Sequence, residues 1–214
     1  MSKGEVTNAS ARARGDAPPG GLERLVLFSD AVFAIAITLL VVEIDVPNES
    51  DGDLGSALAD LWPQFLSFLL SFLVVGLFWI GHHRMFRYIA RSDSRLLWSN
   101  LGLLLCIAFL PFPTALLGEH EGDRLAVLFY ASAMTATGLA SASLWRYASG
   151  GGRLLAGDAD EAVVRYLSRR SVVVPLCFLP SLPVAFASAR AGEALWFLAF
   201  PLVAVIRRVH RHTL

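Results

Sequence analysis

Residues 24–44 read RLVLFSDAVFAIAITLLVVEI. The run is apolar and meets the ~20 residues that a helix needs to cross a ~30 Å hydrocarbon core. It nevertheless carries Asp30 about two turns in. A carboxylate at the centre of a membrane helix costs roughly 2.5–3.5 kcal/mol on insertion scales. Such a charge persists only if it has partners or a task, and the rest of the chain is read as a search for both.

The chain has 214 residues, 55% of them hydrophobic and 17% charged, with a mean hydropathy of +0.57. A soluble domain carries nearer 25% charged residues, so the composition places this chain in a membrane. The apolar residues group into six runs, at about 24–45, 61–83, 96–117, 125–146, 170–189 and 191–208. The expected fold class is an all-α integral membrane protein with six transmembrane helices and no re-entrant pore loop. Residues 1–21 are expected to form a disordered cytosolic tail, 22–210 a single six-helix unit, and 211–214 a short C-terminal tail. The tail at 1–21 has no apolar core ahead of a small-residue cleavage site, so it does not read as a signal peptide.

Between the runs, the loop over 45–60 holds five acidic residues (Asp45, Glu49, Asp51, Asp53 and Asp60) and no basic one. Pro63 falls in the first turn of the second span, where proline is tolerated. The fourth span is rich in alanine and glycine, which lets backbones approach closely. Gly150–Gly152 is the flexible part of the polar linker that follows. From Asp158 that linker reads either as an interfacial helix or as an extension of the fifth span. Pro175, Pro180 and Pro183 interrupt the fifth span, and Pro201 is expected to kink the short sixth.

Six spans put both termini on one side, and the basic residues choose which side. All but Arg124 and Arg190 of the 18 basic residues fall in the two tails and the second and fourth loops. Both termini are therefore expected in the cytosol. Of the basic residues only Lys3 is lysine, a bias that fits a GC-rich bacterial genome and a bacterial inner (plasma) membrane location.

No nucleotide-binding glycine loop, nucleophile elbow, CxxC or HExxH spacing is present. Neither an enzyme, nor a cofactor, nor a metal site, nor a nucleic-acid partner is expected. The potassium-filter sequence TVGYG is also missing, so ion selectivity needs another basis. His82 and His83 are adjacent, point about 100° apart on a helix, and cannot easily share one ion. Cys106 and Cys177 fall inside apolar spans and read as small buried hydrophobes.

At about 100° per residue, Phe28, Ala31, Ile35, Thr38, Leu39 and Val42 form one stripe along the first helix. Asp30 lies about 140° from Ile35, and Ser29 about 120° away on the other side. The acidic residue thus points between helices. His82, at the cytosolic end of the second span, and Asn100, about one turn into the third, sit at matching depth. A network of Ser29, Asp30, His82 and Asn100 is expected to supply the carboxylate with donors. Asp30 then serves either to lock helices together or to sense and relay protons.

The pattern Arg24-x-x-x-Phe28-Ser29-Asp30, then Ala34-Ile35-x-x-Thr38-Leu39, resembles the signature of the potassium-channel family whose animal members reside in endosomes and lysosomes. Trp79-x-x-His82-His83, Asn100 and Leu110-Pro111-Phe112 extend the resemblance over about the first half of the chain. The resemblance implies a single six-helix unit that assembles as a homotetramer in lipid and passes potassium ions through a pore lined by the first helix. Carried over by position, the hydrophobic constriction falls on Ile35, with Leu39 and Val42 as further layers and Thr38 as a selectivity ring. Arg24, Phe28, Ser29, Asp30, His82 and Asn100 would form the motif and its helix–helix hydrogen-bond network. The expected activity is that of a potassium-permeable cation channel. A proton-coupled secondary transporter and a non-conducting membrane scaffold are the alternatives.

Overall fold

The computed structural model describes residues 21–44, 46–47, 53–120, 122–157 and 159–209. The tail expected over 1–21 lies outside the described residues save for Gly21. So do 211–214 and the acidic-loop residues Asp45, Glu49 and Asp51.

The opening run forms α1 (Gly21–Leu39), which tightens into a 3-10 turn over Leu40–Glu43. A short α2 (Leu54–Asp60) leads through Leu61 into α3 (Trp62–Phe86). Proline in the first turn of α3 costs little, because the N–H it lacks would have no intrahelical partner there. The third span is α4 (Ser94–Phe109) followed by α5 (Pro111–Glu119), re-started at the proline across Leu110. The fourth is α6 (Arg124–Ser149). The fifth is α7 (Glu161–Ser171) with α8 (Val173–Ala187), and the sixth is α9 (Ala189–Trp196) with α10 (Ala199–Val209).

Side-chain caps mark where several helices begin. Asp93 accepts from the Leu96 N–H (2.8 Å), Asp123 from Leu125 and Ala126 (2.7 and 3.1 Å), and Asp160 from Ala162 (2.8 Å). Each carboxylate satisfies N–H groups that the first helical turn leaves without partners, and each complements the positive end of the helix dipole.

Six segments are long and apolar enough to cross a membrane: Gly21–Val42, Gln64–Phe86, Ser94–Glu119, Arg124–Gly152, Glu161–Ala187 and Ala189–Ile206. The protein is thus a helical membrane protein, with no strand among the described residues. The first span packs on the second and third, the third on the fourth, the fourth on the fifth, and α8 on α9. Leu103, Ile107 and Leu110 of the third span and Val127 and Ala131 of the fourth are buried along the middle of this stack.

Close approach depends on glycine at one crossing above all. A Cβ on Gly138 would lie 2.6 Å from Pro175 Cδ, so the fourth and fifth spans meet backbone against proline ring. The segment after Asp158 extends the fifth span: α7 passes into α8 through Val172 alone, which keeps helical dihedrals. Its Val163, Tyr166 and Leu167 bury against Met85 and Trp145, and the Trp145 indole N–H donates to Ser168 Oγ at 2.9 Å. The sixth span breaks at Phe197–Leu198, four residues before Pro201. A proline ring clashes with the carbonyl four residues earlier, which puts the interruption ahead of the proline.

At the basic end of the bundle the second and fourth loops are laced together. Ala90 N–H donates to Leu154 O (2.8 Å) and Ala156 N–H to Tyr88 O (2.9 Å). Asp93 adds a side-chain link, accepting from the Tyr147 hydroxyl and facing Arg153 at 3.7 Å. Partial burial of the Asp93 carboxyl works to raise its pKa. The hydrogen bonds from Tyr147 and the Leu96 N–H, with the nearby Arg153 charge, outweigh that and hold it below its ordinary value. A carboxylate with a depressed folded-state pKa stabilises the fold above its unfolded value and loses that contribution as pH falls through the folded one. Thermal melts in detergent should therefore show a loss of Tm on acidification below about pH 4, and Asp93→Asn should lower the neutral-pH Tm and flatten that acid limb. An acid limb identical in the variant would show that the Asp93 contacts contribute nothing.

The candidate pore-lining helix and its polar anchor

One face of α1 is spent on its own chain. Leu25, Ser29, Phe33, Ala36 and Leu40 recur at helical spacing and are buried against the second and third spans. The other face is left uncovered. Ile35, Leu39 and Val42 are 57%, 53% and 73% exposed, and Phe28, Ala31 and Thr38 are exposed beside them. The six stripe residues thus share the side that the chain does not bury.

Thr38 donates its hydroxyl hydrogen to the carbonyls of Ala34 and Ile35, both at 3.0 Å. That bifurcated bond ties up the donor and leaves oxygen lone pairs facing outward. An exposed threonine held this way offers an acceptor to a cation.

Behind the stripe, three polar side chains of three spans meet in full burial. The Asn100 Nδ2 donates to Ser29 Oγ at 2.9 Å, and His82 Nε2 lies 2.8 Å from Asn100 Oδ1. The Ser29 hydroxyl in turn donates to Leu25 O at 2.8 Å. Because the amide uses its N–H on serine, its oxygen must accept, so His82 carries its proton on Nε2. The chain therefore has one direction throughout, from imidazole to amide to hydroxyl to backbone carbonyl. His82 lies between two phenyl rings, stacked on Phe86 with centroids 4.2 Å apart and tilted against Phe33 at 5.5 Å. Its Nδ1 is buried with no partner among the described residues.

Asp30 is not part of this chain. Its carboxylate Oδ1 accepts from the Trp79 indole N–H at 2.8 Å, on the half-exposed flank of α1. The reason is geometric: consecutive residues point about 100° apart, so Ser29 and Asp30 cannot serve one cluster. Arg24 and Phe28 are exposed and also lie outside the buried trio. The structure thus brings Ser29, His82 and Asn100 together and gives Asp30 a separate donor.

Trp79 is the participant whose role the sequence reading passed over. It sits one turn before His82 and His83, and its indole nitrogen can only donate. Its place one turn before His82 was visible in the sequence, but which way the second span turns the indole was not. Phe33 and Phe86 were also missed, although each follows a network residue by four positions and so shares its face.

Losing one member strands the others in a dry site, at roughly 1–3 kcal/mol per unsatisfied group, while interhelical bonds within bilayers average nearer 0.6 kcal/mol. Asn100→Leu should therefore destabilise the protein by about 1–2 kcal/mol in denaturant titrations in detergent. Trp79→Phe, which keeps the ring and removes only one donor to a half-exposed carboxylate, should cost less. Equal stability of Asn100→Leu and the wild type would remove the trio from the fold's support.

The model of the family described as endosomal/lysosomal potassium channel TMEM175 matches residues 24–111. Over 182 residues the chain is 41% identical to a protein of Chamaesiphon minutus named a potassium channel, covering 82% of this chain and 89% of that one. A Streptomyces collinus protein, also named a potassium channel, is 37% identical over 171 residues, or 78% and 83% of the two chains. The crystal structure of a lysosomal potassium-selective channel TMEM175 homolog from Chamaesiphon minutus superposes with a TM-score of 0.73 at 34% identity, over 86% of this chain and 97% of that one. The chain belongs to the TMEM175 family, whose members are ion channels and not enzymes.

Proposed function

We propose that this protein is a potassium-permeable cation channel of a bacterial plasma membrane, formed by four copies that set α1 around a common axis. The observation that carries the proposal is the uncovered stripe of α1, Phe28 to Val42, set opposite the face that the Ser29–Asn100–His82 chain anchors. Potassium relatives of high coverage supply the ion.

In this reading four Ile35 side chains form the narrowest ring, and Leu39 and Val42 continue an apolar wall beyond it. A tight apolar ring expels water, and a cation must shed hydration to pass, which is how such a constriction gates by dewetting. Thr38 lies one turn on from Ile35 and presents acceptor oxygen to the partly dehydrated ion, so it carries the preference for potassium. The acidic residues Asp53, Asp60, Glu119 and Asp123 gather at the end of the bundle opposite the arginine-rich loops. They raise the local cation concentration there, an effect that salt screens. Both termini lie with the arginine-rich loops in the cytosol. Asp30, held by Trp79, fixes the rotation of α1 rather than contacting the ion.

Liposome flux of potassium against sodium tests this reading. Wild-type protein should conduct both with a preference for potassium. Ile35→Asn should raise the flux severalfold, and Thr38→Ala should reduce the preference with little change in total flux. Absence of cation flux, with Ile35→Asn silent, would leave a non-conducting scaffold; slow, saturable flux coupled to protons would make the protein a transporter.

A further inference from the structure

Beyond the fourth span, away from α1, the fifth and sixth spans pack on each other. On the fifth, the exposed side chains recur at helical spacing as Glu161, Arg165, Arg169, Val172, Leu176 and Leu179. That stripe is charged up to Arg169 and apolar from Val172 onward. On the sixth, Pro201, Ala204 and Val205 are exposed, and Arg208 follows them on the same side.

Two contacts set the register of these antiparallel spans. A Cβ on Gly192 would lie 2.8 Å from the Ala185 Cβ, and the Trp196 indole N–H donates to Ser181 Oγ at 3.0 Å. Both give one register, since four residues onward in the sixth span are four residues back in the fifth. Continued at equal rise per residue, it sets Val205 level with Val172 and Arg208 level with Arg169. The two helices stay in contact at that end, where Ile206 packs against the cluster that holds Tyr166 and Leu167 of α7. Both exposed faces thus change from valine to arginine at the same depth.

The guanidinium groups at this boundary lack counter-charges. Arg165 takes Glu161 at 3.0 Å, and Asp160 caps α7. Among the described residues Arg169, Arg170 and Arg208 have no carboxylate partner. Both spans are also short of the ~30 Å hydrocarbon core: the 15 residues of α8 rise about 22 Å and the 18 of the sixth span about 27 Å. Spans that short draw the arginines at their ends to the depth of the lipid phosphates. The planar fork of arginine matches a phosphate bidentately, and the apolar faces beyond Val172 and Val205 lie where the acyl chains of the same lipid run. A zwitterionic headgroup brings an ammonium that two arginines repel, so the charge fits a lipid of net negative charge.

We propose that Arg169 and Arg208 together hold the headgroup phosphate of an anionic phospholipid in the leaflet at the arginine-rich end, and that this lipid ties the end of the sixth span to the fifth. Only the placement of the six segments across a bilayer is needed for this, so the lipid site stands or falls separately from the pore.

The test titrates the full chain in neutral detergent with phosphatidylglycerol, counting bound lipid by native mass spectrometry while following Tm. The wild type should bind this lipid and gain Tm, and phosphatidylcholine should do neither. The double variant Arg169→Gln/Arg208→Gln should melt like the wild type without lipid, since neither side chain has an ion-pair partner to lose. It should bind phosphatidylglycerol on the order of tenfold more weakly. Arg87→Gln/Arg91→Gln, which removes two exposed charges from the same end, and Arg190→Gln at the other end should keep the wild-type affinity. Equal losses in the two double variants would reduce the site to a diffuse basic face and overturn the proposal, as would an unchanged affinity in Arg169→Gln/Arg208→Gln. Glycerol phosphate, which carries the headgroup chemistry without acyl chains, should give no gain in Tm at the same concentration. An equal gain would make this a site for soluble phosphate and overturn the lipid assignment.

Discussion

A polar group buried in a bilayer has no water to turn to, and that constraint underlies the arrangement of the first three spans. Ser29, Asn100 and His82 come from three different helices and satisfy one another in a single directed chain. Each donor and acceptor used there fixes a rotation and a depth. The Asn100 amide donates to Ser29 Oγ from another helix, so α1 cannot turn without breaking the chain. In a packed apolar interface alone, helices can slide or rotate at modest cost; a dry hydrogen-bond chain makes such motion expensive.

That anchoring gives the opposite side of α1 its character. The face holding Leu25, Ser29, Phe33, Ala36 and Leu40 is committed to the second and third spans. What remains is an apolar surface wider than a pore wall alone requires, with the Ile35–Thr38–Val42 stripe at its centre and two flanks beside it.

The second half of the chain contributes differently. It packs by shape, with Gly138 against the Pro175 ring and Gly192 against Ala185, with the Trp196 indole N–H donating to Ser181 Oγ at 3.0 Å between the fifth and sixth spans and further polar links at the basic end. Asp93 there caps α4 while accepting from Tyr147 and facing Arg153, which ties the second loop to the fourth. This half braces α4, and α4 holds α1.

Much of this was legible in the residues themselves. The six spans follow from runs of apolar residues, because a bilayer demands length and hydrophobicity from each span separately, and both are local properties. The stripe on α1 follows from helical period alone. The pairing of Ser29, His82 and Asn100 was within reach because depth in a membrane can be counted along each helix from a common surface. The donor to Asp30 escaped that count, since Trp79 reads as an aromatic anchor until the rotation of the second span is known. Rotation is set by packing among neighbours, which no single helix encodes. For the same reason only the tertiary structure decided that α7 continues into α8 and that Ile35 stands uncovered while Phe33 is buried.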